Sequence, residues 1–69
     1  MNDLKLQSKI IEVLSQVQIE GKLGLTTRQL SQRLNTYYAK TLLNAALLEE
    51  RGKIKTLKKG KSIIWYIQK

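Results

Sequence analysis

The chain has 69 residues, carries 13 Lys or Arg against five Asp or Glu for a formal net charge of +8, and contains neither Cys nor His. A length near that makes one domain with a thin core, because a 60-residue domain buries only about 60% of the surface its unfolded chain exposes. Without Cys or His there is no disulfide framework, no thiolate or imidazole metal site and no imidazole base, so neither a cofactor nor enzymatic activity is expected.

The first element is an amphipathic helix over residues 3–19. Ile10, Val13, Leu14 and Val17 recur at the i, i+3, i+4, i+7 spacing of one helical face, and Leu6 lies one turn earlier. Gly21 and Gly24 interrupt that pattern and bracket a short connection, in which Leu25 can add one buried or strand-like residue. Thr26-Thr27-Arg28-Gln29 then offers a capping box for a helix over 27–34, with Thr26 or equally Thr27 as the cap. Leu30 and Leu34 form its apolar face and leave Arg28, Ser31, Gln32 and Arg33 outward.

Asn35 tolerates the left-handed backbone conformation, so Leu34-Asn35-Thr36 reads as a tight turn into a third helix over 37–51 that Gly52 closes. Helical periodicity places Tyr38, Thr41, Ala45 and Leu48 on its core face. Tyr37, Lys40, Leu43, Asn44 and Leu47 then point outward or sideways, with Leu42 and Ala46 at the boundary. Leu43 and Leu47, spaced i and i+4, are either core residues of a slightly rotated helix or an exposed stripe for a partner, which would be a second copy or a larger regulatory protein.

The last element is a β-hairpin over 53–67. Two apolar-containing runs, Ile54 to Leu57 and Ile63 to Ile67, flank the turn Lys58-Lys59-Gly60-Lys61. From Arg51 to Lys69 the chain carries seven basic residues and no acid, against six basic residues and five acids in the first fifty positions. Strand alternation turns Ile54, Thr56, Trp65 and Ile67 toward the helices and Ile64 and Tyr66 away. Lys53, Lys55, Lys58, Lys59 and Lys61 are left to line the open face and tip. Flexible ammonium groups in such a row suit successive phosphates, although lysines on an exposed edge also prevent strand pairing between molecules.

Two adjacent helices joined by a tight turn are the unit with which many proteins enter the DNA major groove. Leu30-Ser31-Gln32-Arg33-Leu34 resembles the second helix of the winged helix-turn-helix family. Leu48-Glu49-Glu50-Arg51-Gly52-Lys53-Ile54 resembles the end of that family's third helix and the start of its wing, and Gly60-Lys61-Ser62-Ile63-Ile64-Trp65-Tyr66-Ile67 resembles its returning strand. The small size and the Trp65-Tyr66-Ile67 ending are most similar to the FaeA-like regulators of fimbrial operons. The resemblance implies an α+β winged-helix fold spanning residues 1–69 and a DNA-binding transcriptional regulator whose partner is double-stranded DNA. On that reading Tyr37, Lys40, Thr41 and Asn44 face the major groove, where Asn44 could pair with adenine. Thr27 and Arg28 meet a phosphate at the second helix's N-terminus, and the five wing lysines follow the backbone.

Catalytic alternatives find no support in the residues. Gly60-Lys61-Ser62 imitates the end of a phosphate-binding loop, but Lys55 stands where the earlier glycine belongs and a strand follows in place of a helix. Asp3, Glu12, Glu20, Glu49 and Glu50 are scattered, with no pairing suited to acid-base chemistry. The longest apolar run, Ile63-Ile64-Trp65-Tyr66-Ile67, falls far short of the ~20 residues of a membrane-spanning helix, and the N-terminal stretch has no signal-peptide core. A soluble, cytoplasmic protein with no membrane partner is the expectation.

Overall fold

The computed structural model describes residues 3–68, with Met1, Asn2 and Lys69 outside them. Helix α1 (Leu4–Ile19) starts at Asp3, whose carboxylate accepts the Leu6 N–H at 3.0 Å and so satisfies one of the donors left open at a helix start. Leu6, Ile10, Leu14 and Val17 of the stripe expected from spacing are buried, Val13 is half-buried, and Gln7 is buried as well. A two-residue strand β1 (Leu25–Thr26) follows, then α2 (Thr27–Leu34). Of the two candidate caps it is Thr26 that acts. Its hydroxyl accepts the Gln29 N–H at 3.2 Å, and the Gln29 side chain accepts the Thr26 N–H at 3.0 Å.

Asn35 takes the left-handed conformation at φ 52°, which turns the chain into α3 (Tyr38–Glu50). At the far end Gly52 adopts φ 76°, and the Lys53 N–H reaches back to the Leu48 carbonyl at 2.9 Å. That bond closes the helix and redirects the chain toward the sheet; a side chain at Gly52 would oppose the turn. Strands β2 (Lys55–Lys59) and β3 (Ser62–Tyr66) form an antiparallel hairpin around Gly60 and Lys61.

The sheet has three strands in the order β1-β3-β2, all antiparallel, so β3 is central and β2 is an edge. Sequence reading anticipated the hairpin and a strand-like Leu25, but not that Leu25 and Thr26 would pair with Trp65 and Ile64. That pairing requires Gly24 beside it, because a Cβ there would collide with the Trp65 carbonyl. The architecture is therefore α+β, three helices with a small antiparallel sheet. Among the described residues no helix is long and apolar enough to cross a membrane.

One core joins the layers. Leu6, Ile10, Leu14 and Val17 of α1 meet Leu30 of α2, Ala45 and Leu48 of α3, and Leu25, Ile54 and Trp65 from the sheet side. Each fully buried Leu, Ile or Val contributes roughly 1.5–3 kcal/mol, so this short list carries most of the apolar driving force. Two polar bonds fix the sheet on the helices. The Gln18 side-chain amide donates to the Ile67 carbonyl at 2.8 Å, and the Trp65 indole N–H donates to the Thr27 hydroxyl at 2.7 Å.

Candidate nucleic-acid interface

The hairpin presents its lysines in two sets. Cross-strand partners share a face, and the register pairs Lys55 with Tyr66, Leu57 with Ile64 and Lys59 with Ser62 on one side. Thr56 with Trp65 and Lys58 with Ile63 occupy the other. Trp65 packs inward, so Lys58 extends from the helix-facing side while Lys55 and Lys59 stand on the outer side. This corrects the expectation of a single lysine-lined open face: alternation along a five-residue strand distributes the charges between both faces and the tip. Lys53, Lys55, Lys58, Lys59 and Lys61 are all exposed. Ile54, immediately before β2, is fully buried and anchors the strand.

A groove of about 480 Å³ runs between the hairpin and the helices. Lys61 and Ile63 of the hairpin form one wall, Arg28 at the start of α2 lies at its end, and Tyr38 and Leu42 of α3 complete it. Both charged residues in the lining are cations. Thr27 lies at this place as expected, but its side chain is 5% exposed and its hydroxyl is occupied by Trp65. The expected phosphate contact of the Thr27 side chain is therefore corrected. Its hydroxyl is structural, and the charge at the start of α2 comes from Arg28.

The third helix requires the largest correction. Thr41 and Asn44, both placed among the groove-facing residues, are completely buried, which for Thr41 agrees with the core face that helical periodicity gave it. The Thr41 hydroxyl donates to the Tyr37 carbonyl at 3.0 Å. The Asn44 carbonyl oxygen accepts from the Asp3 N–H at 3.0 Å and the Gln7 side chain at 3.1 Å, while its amide donates to the Lys40 carbonyl at 2.9 Å. An amide so occupied cannot present its edge to adenine. Conversely Tyr38, assigned to the core face, is exposed, and Tyr37 is 81% exposed.

Lys40 is on the surface, where its ammonium pairs with Asp3 at 3.1 Å. The Leu6 N–H first, and then Lys40, hold the Asp3 carboxyl below its ordinary range. Leu43 is exposed and Leu47 half-buried, so Leu43 is no core residue; Leu42, assigned to the boundary, is exposed as well. Along the middle of α3 the exposed residues are thus Tyr38, Ala39, Lys40, Leu42, Leu43 and Ala46, in which one cation, the Asp3-paired Lys40, stands among apolar side chains.

A second cleft, of about 280 Å³, lies on the α1 side of α3 and was not foreseen from the sequence. Lys5 and Lys9 of α1, Lys40 of α3, Asp3 and the Asn35–Thr36 turn line it. The i, i+4 spacing of Lys5 and Lys9 was the available signal. Comparison with protein families, with curated proteins and with solved structures returns no match.

Proposed function

We propose that this chain is a cytoplasmic winged helix-turn-helix regulator of transcription, of the kind to which the FaeA-like proteins belong, and that it binds double-stranded DNA. The observation that carries the reading is the acid-free groove between α2, α3 and the hairpin, with Arg28 and Lys61 in its lining and Lys58 and Lys59 beside the tip. Those four cations contact phosphates, and Lys53 and Lys55 add charge further along the wing. With Thr41 and Asn44 inside, base contact falls to Tyr37 and Tyr38 at the start of α3. Most of the affinity on this reading is electrostatic and sequence preference is modest.

The test is the salt dependence of affinity for a mixed-sequence duplex. Neutralising ~3 to 5 phosphates predicts a slope of log affinity against log salt of roughly −3 to −4.5, flattened by Lys58→Ala with Lys59→Ala. A slope near zero would sink the reading. An NMR titration with the same duplex locates the surface, with shifts expected at Tyr37, Tyr38 and Lys58 to Ile63.

One observation favours a second reading, a protein interaction module. Leu42 is 38% and Leu43 42% exposed on a helix whose nearby cation, Lys40, is already paired with Asp3, which suits an apolar partner better than a phosphate-lined groove. Sedimentation of wild type against Leu43→Lys separates the two, because a self-associating module loses its dimer and a monomeric DNA binder sediments unchanged.

A further inference from the structure

Charge in the cleft on the α1 side is more concentrated than the fold requires. Lys5 and Lys9 are one turn apart on α1, and Lys40 reaches the same cleft from α3. Like charges at i, i+4 oppose helix formation, so the pair does not serve the stability of α1. Asp3 is the one acid in the cleft lining, and it is engaged with Lys40. Neither Lys5 nor Lys9 has an acidic partner among the described residues.

The position of the cleft gives the charge a use. Its floor is the turn Asn35–Thr36, which runs directly into Tyr37 at the start of α3. Beyond Tyr37, the adjoining Tyr38 begins the other groove, which contains Arg28 and Lys61. The exposed N-terminus of α3 therefore stands between two basic clefts that share no residue. A B-DNA major groove about 12 Å wide is likewise bordered on each side by a sugar-phosphate backbone.

We infer that Lys5, Lys9 and Lys40 form a second phosphate-backbone site, which grips one strand bordering the major groove while Arg28 and the wing grip the other. The inference rests on the DNA-binding reading and extends it from a one-sided to a two-sided clamp. Asp3 takes part by holding Lys40 over the cleft and lowering its net charge, so the α1 side is the weaker grip.

The test is a fluorescence-anisotropy titration of a labelled mixed-sequence duplex between about 50 and 200 mM salt. It compares the wild type with Lys5→Ala/Lys9→Ala, Lys58→Ala/Lys59→Ala and Lys22→Ala/Arg33→Ala. The last pair removes the same charge from a separate cleft beside β1. Lys5 and Lys9 are exposed, so their loss leaves the fold intact, which circular dichroism checks. The expected result is that the α1 pair and the wing pair each flatten the slope by about 1.8, as two lost phosphate contacts require, while the Lys22/Arg33 pair changes it by less than half as much. A steep wild-type slope that the wing pair flattens and the α1 pair does not would overturn the second site and leave DNA binding standing. Equal flattening by the Lys22/Arg33 pair would also overturn it, by reducing the effect to overall charge. A flat wild-type slope would remove the DNA-binding reading itself.

Discussion

The indole N–H of Trp65 donates to the hydroxyl of Thr27 at 2.7 Å, joining the central strand to the first residue of α2 across 38 positions of sequence. Both side chains are buried, so the bond cannot be replaced by water without opening the sheet from the helices. Thr27→Val keeps the shape and removes the acceptor. It should cost about 1–3 kcal/mol, the usual penalty for a buried donor left without a partner. Urea unfolding followed by the emission of Trp65, the single tryptophan, measures it.

Asn44 is the corresponding link on the other side of the molecule. Its side chain connects the Asp3 N–H and Gln7 of α1 to the Lys40 carbonyl of α3. Asn44→Leu removes three hydrogen bonds from a buried place and is expected to destabilise by about 2–4 kcal/mol. The folded fraction, at low temperature, should bind duplex DNA with unchanged base preference. A changed preference in a binding-site selection would restore Asn44 to the groove.

Gly24→Ala tests the pairing of β1 with β3. The new methyl group would meet the Trp65 carbonyl, which is backbone and cannot rotate aside. Overpacking of this kind costs about 1–3 kcal/mol and more when backbone must move. Thermal melts should show a large loss for Gly24→Ala, together with loss of amide protection at Leu25 and Trp65 by hydrogen exchange. Protection equal to wild type would show that the strand adjusts.

Asp3 makes stability depend on pH in one direction. The carboxyl is held below its ordinary value of 3.8 by the Leu6 N–H and by Lys40, so its charged form favours the folded state. The contribution is fully present above 3.8 and is lost as pH falls through the lower folded value. Asp3→Asn retains a good helix cap but removes the charge. Acid titrations of the two proteins should therefore converge below the carboxylate range and separate above it, with the wild type more stable. Parallel curves would remove Asp3 as a source of the acid sensitivity.

The contrast between α1 and α3 explains what was legible in the residues. In α1 four of the five buried residues, Leu6, Ile10, Leu14 and Val17, are apolar and Gln7 is the polar one, so spacing and hydropathy largely agree. In α3 the buried residues Thr41, Asn44, Ala45 and Leu48 also follow i, i+3, i+4, i+7, yet two are polar, while Leu42 and Leu43 remain outside. Spacing sets the phase correctly at Thr41, Ala45 and Leu48, but a rule that places asparagine outside and tyrosine inside fails at Asn44 and Tyr38. The site inherits the error, since Asn44 and Thr41 leave it and Tyr38 enters it.

Local chemistry in the chain alone determined the three helices, the capping box before the second of them, the turns at Asn35 and Gly52, and the basic hairpin. Each depends on neighbours a few residues apart, where backbone geometry and hydrogen-bond reach leave few choices. Only the tertiary structure decided which face of α3 is buried, that Leu25 joins the sheet, that Thr27 serves Trp65, and that lysines of α1 and α3 share a cleft. Those outcomes depend on partners 37 to 41 positions away in the bonds of Thr27 and Asn44. A buried polar side chain becomes favourable only when such a distant partner satisfies it, which periodicity along a single helix cannot register.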